Sequence, residues 1–123
     1  MAERREMLQY PYVLDEAGRA VVLAAIRGHC ALRGWNLLAA HVRSNHVHAV
    51  VEAEPRPERI MNEFKAYASR ALKRLESDGP DRKRWARHGS TRWLWKDEDV
   101  SHALQYIIDE QGEAMALFVA EEL

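Results

Sequence analysis

The chain has 123 residues, 47% of them hydrophobic and 30% charged, and one cysteine. This length suits one compact domain over residues 1–123, and no apolar run approaches the ~20 residues of a membrane-spanning helix. Cys30 alone excludes an internal disulfide and a cysteine-clustered zinc site, and we expect it to be buried on a helix. The N-terminal MAERREMLQY has no apolar signal core, so we expect a cytoplasmic protein without membrane association.

Charge is unevenly distributed along the chain. Residues 56–96 contain twelve basic and five acidic side chains, whereas residues 97–123 contain eight acidic and no basic ones. A basic surface is therefore compatible with the formal net charge of −1. An ordinary mixture of solvated helix faces has the same composition, and the sequence leaves both interpretations open.

The first half of the chain contains one candidate strand, and its sequence predicts a helix followed by a hairpin. Residues 4–14 are the segment available for a first strand, but Pro11 cannot donate to a ladder, so the sequence leaves this strand open. Residues 17–33 have helical apolar spacing and end at Gly34. The apolar runs 35–42 and 46–53 are separated by three polar residues, which is typical of an antiparallel hairpin. The predicted helical stripe comprises Ala20, Leu23, Ile26, Cys30 and Leu32.

The second half predicts a long helix, a strand and a last helix. Pro57 suits the first turn of a helix that extends to residue 79. Residues 88–96 alternate as a strand, and the last helix runs from Asp97 to Gln111 before Gly112. Residues 113–123 form an acidic tail. The order predicts an α+β fold with a ferredoxin-like antiparallel sheet and helices on one face. The stripe of the long helix comprises Ile60, Met61, Phe64, Ala68, Ala71, Leu72 and Leu75.

Two histidines in the second hairpin strand form a candidate metal site. In an extended chain His46, His48 and Val50 share one face, with Val47 and Val51 on the other. The two histidine β-carbons are then roughly 6 to 7 Å apart, so both rings can reach one cation. The alternative is that both rings line a solvated strand face.

A tyrosine in the last helix is a candidate nucleophile. Tyr106 lies about 130° from the centre of the apolar stripe, so we expect a partly exposed ring. Glu110 is one turn later on the same flank, and Gln111 is the neighbouring candidate. Tyr67, on the basic helix, is the competing tyrosine. A surface tyrosine beside a glutamate is also common without any function.

These segments resemble a known family over about residues 35–113. NHVH on a strand, MNEFKAYASRALKR, RWARHGSTRWLW and YIIDEQGE are similar, in this order, to the single-tyrosine HUH transposases, especially the REP-associated tyrosine transposases. The N-terminal residues 1–16 match the family's first strand weakly. The likeness therefore rests on the motifs of the central and C-terminal parts of the chain.

The resemblance implies a mechanism and a set of residues. It implies that Tyr106 attacks a DNA phosphate, and that His46, His48 and Glu110 bind Mg²⁺ or Mn²⁺ with Gln111 as the alternative ligand. It also implies a homodimer, and the spacing leaves open whether Tyr106 acts with the histidines of its own chain or with those of its partner. The expected partner is single-stranded or hairpin DNA, cleaved and rejoined through a 5′-phosphotyrosine. Basic residues of the middle segment are expected to bind this DNA: Lys65, Lys73, Arg82, Lys83 and Arg84.

Three other protein classes share parts of these patterns. A histidine-triad hydrolase needs a third histidine where Val50 stands, and a cupin needs glycines where Ala40 and Arg59 stand. The remaining alternative is an inactive relative that binds hairpin DNA or RNA without cutting it. Trp85, Trp93 and Trp95 would then support base stacking, although core or interface packing is the ordinary role of Trp93 and Trp95.

Overall fold

The computed structural model describes residues 2–9, 14–44, 46–75, 90–94, 97–109 and 115–121. In chain order the elements are β1 (Ala2–Gln9), α1 (Glu16–Arg33), β2 (Asn36–Val42), β3 (His46–Ala53), α2 (Pro57–Leu75), β4 (Ser90–Leu94), α3 (Asp97–Asp109) and β5 (Ala116–Val119). The strands form an antiparallel sheet in the order β4-β1-β3-β2-β5. Elements β1 to β4 with α1 and α2 follow the ferredoxin-like plan, which confirms the predicted fold class.

The first strand, which the sequence left open, lies in the interior of the sheet. It pairs with β3 from Ala2↔Ala53 to Gln9↔His46, and with β4 along its other edge. The strand ends before Pro11, so the missing proline donor does not interrupt either ladder. Pro11 itself lies outside the described residues.

Helix α1 has defined caps at both ends. The Asp15 side chain accepts a hydrogen bond from the Gly18 N–H at 2.8 Å, as a helix N-cap does. Gly34 has φ 72° and ψ 22°, the left-handed conformation that glycine adopts without a Cβ penalty. The Trp35 N–H then donates to the Cys30 carbonyl at 2.9 Å, which confirms the predicted end of this helix.

The buried face of α1 differs from the predicted stripe. Val22, Ile26, His29 and Cys30 are buried, whereas Leu32 is 73% exposed. At about 100° per residue, Leu32 lies about 240° round the helix from Ile26, so these two side chains cannot share one face. Cys30 is buried as predicted, and burial raises the pKa of its thiol to about 12.

The sheet is covered by helices on both faces, which corrects the expectation that all helices lie on one face. Helices α1 and α2 pack on one face against the core that contains Val47, Ala49 and Val51. Helix α3 packs on the opposite face, where Ala103 and Ile107 contact Val50 and its neighbours. The reason is visible in β3, because Val47 to Val51 are all buried and an apolar strand of this kind needs cover on both sides.

A fifth strand lies within the segment expected to be an acidic tail. Strand β5 pairs with β2 from Ala39↔Val119 to Val42↔Ala116. Phe118 packs against the α1–α2 core, and the Arg27 guanidinium lies 4.3 Å from the centre of its ring. Within the described parts of the chain, no helix is long and apolar enough to cross a membrane.

Candidate active site

The histidine pair has the arrangement predicted from strand alternation. His46 and His48 lie on the face of β3 that carries Val50, and their ring centroids are 4.9 Å apart. His48 is only 3% exposed, whereas His46 is half-buried. The pair therefore extends from the protein interior toward solvent, so a ligand can reach it from one side.

Helix α3 brings Tyr106 to this pair. Ile107, the next residue, is fully buried against the sheet, so the backbone of α3 is fixed at this point. The Tyr106 ring is half-buried, as predicted, and its centroid lies 5.5 Å from that of His48. Tyr106 and the two histidines, which are 58 and 60 residues away in the sequence, thus lie together in one chain.

The donor set of the described part of this site suits a divalent cation. Two neutral imidazole nitrogens are good ligands for Mn²⁺ and related ions, and Mg²⁺ additionally requires oxygen ligands. The predicted third ligand, Glu110 or its alternative Gln111, lies outside the described residues. Among those that are described, no group of three histidine, cysteine, aspartate or glutamate side chains is placed to hold a metal ion.

Two residues that the sequence interpretation missed surround the histidine pair. His41, 1% exposed, is the direct cross-strand partner of His48. Its pKa lies below the ordinary value, mainly through burial and also through the positive charge of Arg43. Arg43 is half-buried beside His46, whose carbonyl accepts from the Arg43 N–H at 2.9 Å. A hairpin register that pairs Val42 with Val47 places His41 opposite His48. This register, had it been assumed, would have added His41 to the candidate site from the sequence.

Two of the five predicted DNA-binding residues are separated from Tyr106 by the sheet. Lys65 and Lys73 lie on α2, in the layer opposite α3. Lys73 is exposed; Lys65 is half-buried, and burial lowers its pKa. Arg82, Lys83 and Arg84 lie outside the described residues, as do the side chains of the three tryptophans considered for stacking.

Further cations that the prediction did not include lie along the outer side of α2. Arg56, Arg59 and Arg70 line an open groove there, together with Glu63 and Tyr67. Arg59 is an ion-pair partner of Glu63 at 3.0 Å, so its charge is partly neutralised. The exposed side of α2 is thus basic but not uniformly so.

The competing tyrosine occupies a different environment. Tyr67 stacks on the His29 ring with centroids 4.1 Å apart. His29 is buried and its Nε2 donates to Glu63 Oε1 at 2.6 Å. His29 is thus hydrogen-bonded to a carboxylate between α1 and α2. The structure therefore places Tyr67 beside this histidine and not beside the histidines of β3.

Comparison with solved structures supports the same fold. One match is the structure of a REP-associated tyrosine transposase bound to a REP hairpin, with a TM-score of 0.67, 14% identity and 86% of this chain covered. This chain spans 64% of the length of that protein. A second match is a putative transposase from Deinococcus radiodurans R1, with a TM-score of 0.57, 17% identity and coverage of 91% and 92% of the two chains.

Comparison by sequence assigns the family. A search of curated proteins found no match to this chain. The family model described as "Transposase IS200 like" matches residues 3–107, a range that contains the histidine pair, α2 and Tyr106. Because this match covers most of the chain and the fold agrees with that of transposase structures, the protein belongs to the IS200-like transposase family.

Proposed function

We propose that the protein is a transposase that nicks and rejoins single-stranded DNA beside a hairpin, with Tyr106 as the nucleophile. The observation that carries this proposal is the 5.5 Å distance between the Tyr106 and His48 rings. Family membership and the hairpin-bound structural relative support the same substrate class. Such a substrate would be met in the cytoplasm.

The chemistry of a phenol suits a reaction that must be reversible. The Tyr106 oxygen would attack phosphorus, lose its proton, and form a phosphotyrosine with the 5′-phosphate of the downstream strand. The bond from phosphorus to the 3′ oxygen breaks, and that oxygen leaves as a hydroxyl. Because a phenolate is a better leaving group than an alkoxide, a 3′-hydroxyl can later displace Tyr106 and reseal the strand without a nucleotide cofactor.

The surrounding residues would bind and orient the phosphate. We propose that His46, His48 and Glu110 or Gln111 hold one divalent ion, Mg²⁺ or Mn²⁺. When bound, such an ion stabilises negative charge on a non-bridging phosphate oxygen. Arg43, which acts electrostatically on His41 and lies next to His46 in the hairpin, is suited to the same phosphate. Burial of His48 excludes water from the inner side of the site.

The basic side of α2 would hold DNA outside the cleavage site. Lys65 and Lys73, with Arg82, Lys83 and Arg84, are the proposed phosphate contacts. Since α2 and Tyr106 lie on opposite sides of the sheet, a bound DNA would have to pass round the sheet to engage both. A hairpin stem with a single-stranded extension has the required two parts.

The proximity of Tyr106 to His48 within one chain supports cleavage in cis. The family resemblance implies a homodimer, and in such a dimer each subunit would then contain its own complete site. Sedimentation of the protein alone and with DNA would report its assembly. Mixing Tyr106→Phe with His48→Ala protein separates the two arrangements: a site shared between subunits regains adduct formation, whereas cis sites remain inactive.

The decisive experiment is a covalent-adduct assay that determines which of the two DNA fragments remains attached to the protein. Hairpin DNA with a single-stranded extension, labelled at either the 5′ or the 3′ end, is incubated with the protein and Mn²⁺ and then denatured. A 5′-phosphotyrosine retains the 3′ label on the protein and releases the 5′ label. Retention of the 5′ label would contradict the proposed linkage. DNA binding without any adduct would instead support the alternative of a non-cleaving hairpin-binding relative.

A further inference from the structure

His41 is a buried polar side chain that the proposed chemistry does not use. It is 1% exposed and faces His48 directly across the β2–β3 ladder. On the other edge of β2 its partner is Leu117 of β5. His41 therefore lies between the proposed metal ligand His48 on β3 and Leu117 on β5.

The ring of His41 holds the segment that follows the tyrosine helix. The Met115 N–H donates to His41 Nε2 at 2.9 Å, immediately before β5 begins. The backbone of Ile107, the residue after Tyr106, also interacts with the ring, although Nδ1 completes no hydrogen bond within the described parts of the chain. One side chain thus contacts both the tyrosine helix and the segment to which this helix leads.

We propose that His41 is a positioning residue that fixes Tyr106 relative to His46 and His48. The chain between its two contacts, residues 108–114, includes Glu110 and Gln111. Loss of the Met115 contact would leave a backbone N–H without its acceptor and free one end of this connection. This inference rests on the proposed function, because a phenol that attacks phosphorus in line tolerates little displacement.

Three variants separate positioning from general stability. His41→Leu fills a similar volume but cannot accept from the Met115 N–H. His41→Gln restores an acceptor, because its side-chain carbonyl oxygen has a reach similar to that of Nε2. Val42→Ala is the matched control, since Val42 is the next residue of β2, is equally buried, and belongs to the α1–α2 core instead.

We expect His41→Leu to lower the rate of adduct formation about tenfold or more, with an unchanged Kd for hairpin DNA. His41→Gln should recover most of the rate. Val42→Ala should lower the Tm while leaving the adduct rate within about twofold of wild type. The inference is overturned if His41→Leu keeps the wild-type rate, or if Val42→Ala loses as much rate at an equal fall in Tm.

A second readout remains decisive if the wild-type protein forms no adduct. NMR cross-peaks between the Tyr106 and His48 rings and hydrogen exchange at the Met115 amide report the geometry without any chemistry. His41→Leu should weaken the cross-peaks and accelerate the exchange, and His41→Gln should restore both. Unchanged values in His41→Leu would contradict the positioning role, whereas absence of a wild-type adduct alone would contradict only the proposed function.

Discussion

Two tyrosines lie against histidines on opposite sides of the same sheet, and their surroundings differ in ways that matter for chemistry. On the α1–α2 side, Tyr67 stacks on His29 with ring centroids 4.1 Å apart. On the α3 side, the corresponding distance between Tyr106 and His48 is 5.5 Å, with the rings edge to face. The closer pair is the one that we assign to structure rather than catalysis.

The difference is what else each histidine contacts. His29 donates to Glu63, which also accepts from Arg33 and Arg59, so this histidine belongs to a closed ion-pair network between two helices. His48 instead has a second histidine, His46, 4.9 Å away. A carboxylate partner fixes a histidine in the fold, whereas a second imidazole offers a site for a cation. Proximity of a tyrosine to a histidine is therefore insufficient to identify a nucleophile.

Exchanging one tyrosine at a time gives the largest expected contrast between the two sides. Tyr106→Phe removes only the hydroxyl, so folding and DNA binding should persist while the covalent adduct falls below detection. Tyr67→Phe, the matched control on α2, should retain adduct formation within about twofold, since its ring stacking is kept. Adduct formation that survives in Tyr106→Phe and is lost in Tyr67→Phe would reverse the assignment. Cleavage without an adduct in both variants would indicate a hydrolase.

The histidine pair should show the next largest effect, in metal binding. We expect His48→Ala to weaken Mn²⁺ binding about tenfold or more, because one of the proposed ligands is removed. His102→Ala, at an exposed histidine of α3, is the control and should bind Mn²⁺ as the wild type does. Calorimetric titration measures both. Equal affinity of His48→Ala and wild type would disprove the metal assignment.

The network on the other side should affect stability instead. Burial alone would raise the pKa of Glu63, but hydrogen bonds from His29, Arg59 and Arg33 outweigh this and hold the pKa below its ordinary value. Glu63→Gln should therefore lower the free energy of unfolding by about 1–3 kcal/mol near neutral pH. Glu58→Gln, at an exposed position of the same helix, is the control. Adduct formation should be unaffected in both.

The loss of stability expected in Glu63→Gln depends on pH with a definite sign. A carboxyl group whose pKa is lower in the folded state stabilises the protein above its unfolded pKa, near 4.5. This contribution disappears as the pH falls through the folded pKa. Denaturant unfolding of wild type and Glu63→Gln should therefore differ most near neutral pH and converge in acid. A difference that grows on acidification would contradict this account of Glu63.

The sequence predicted the α3-side site better than the α1–α2 network for a physical reason. Strand alternation placed His46 and His48 on one face, and helical periodicity gave Tyr106 a partly exposed ring, because both follow from local geometry. His29 and Glu63 are 34 residues apart and lie on two different helices, so no local sequence pattern reports their contact. His41 was missed for a similar reason, since its role depends on a cross-strand register.

The fold shows the same limit. Segments with strong local patterns, such as 17–33 and 46–53, were predicted with boundaries close to those of α1 and β3. The sequence left β1 open and missed β5, because the position of each strand depends on the sheet edge that another strand provides. The side on which α3 packs likewise depends on the second apolar face of β3. Roles of Glu110, Gln111, Arg82, Lys83 and Arg84 remain predictions.

The smallest expected effect concerns the basic side of α2 and decides whether DNA spans both sides of the sheet. Lys73 is exposed, so Lys73→Gln should remove one phosphate contact and reduce the slope of log K against log salt by about 0.7 to 0.9. Lys65→Gln should change this slope less, because the side chain is half-buried and burial already opposes its charge. Fluorescence anisotropy with labelled hairpin DNA over a salt series measures both slopes.

Glu58→Gln, which removes an exposed negative charge from the same helix, should leave the slope unchanged or raise it. If Lys73→Gln leaves both affinity and slope at wild-type values, the positive charge of α2 is merely solvated and the DNA is bound on the α3 side alone.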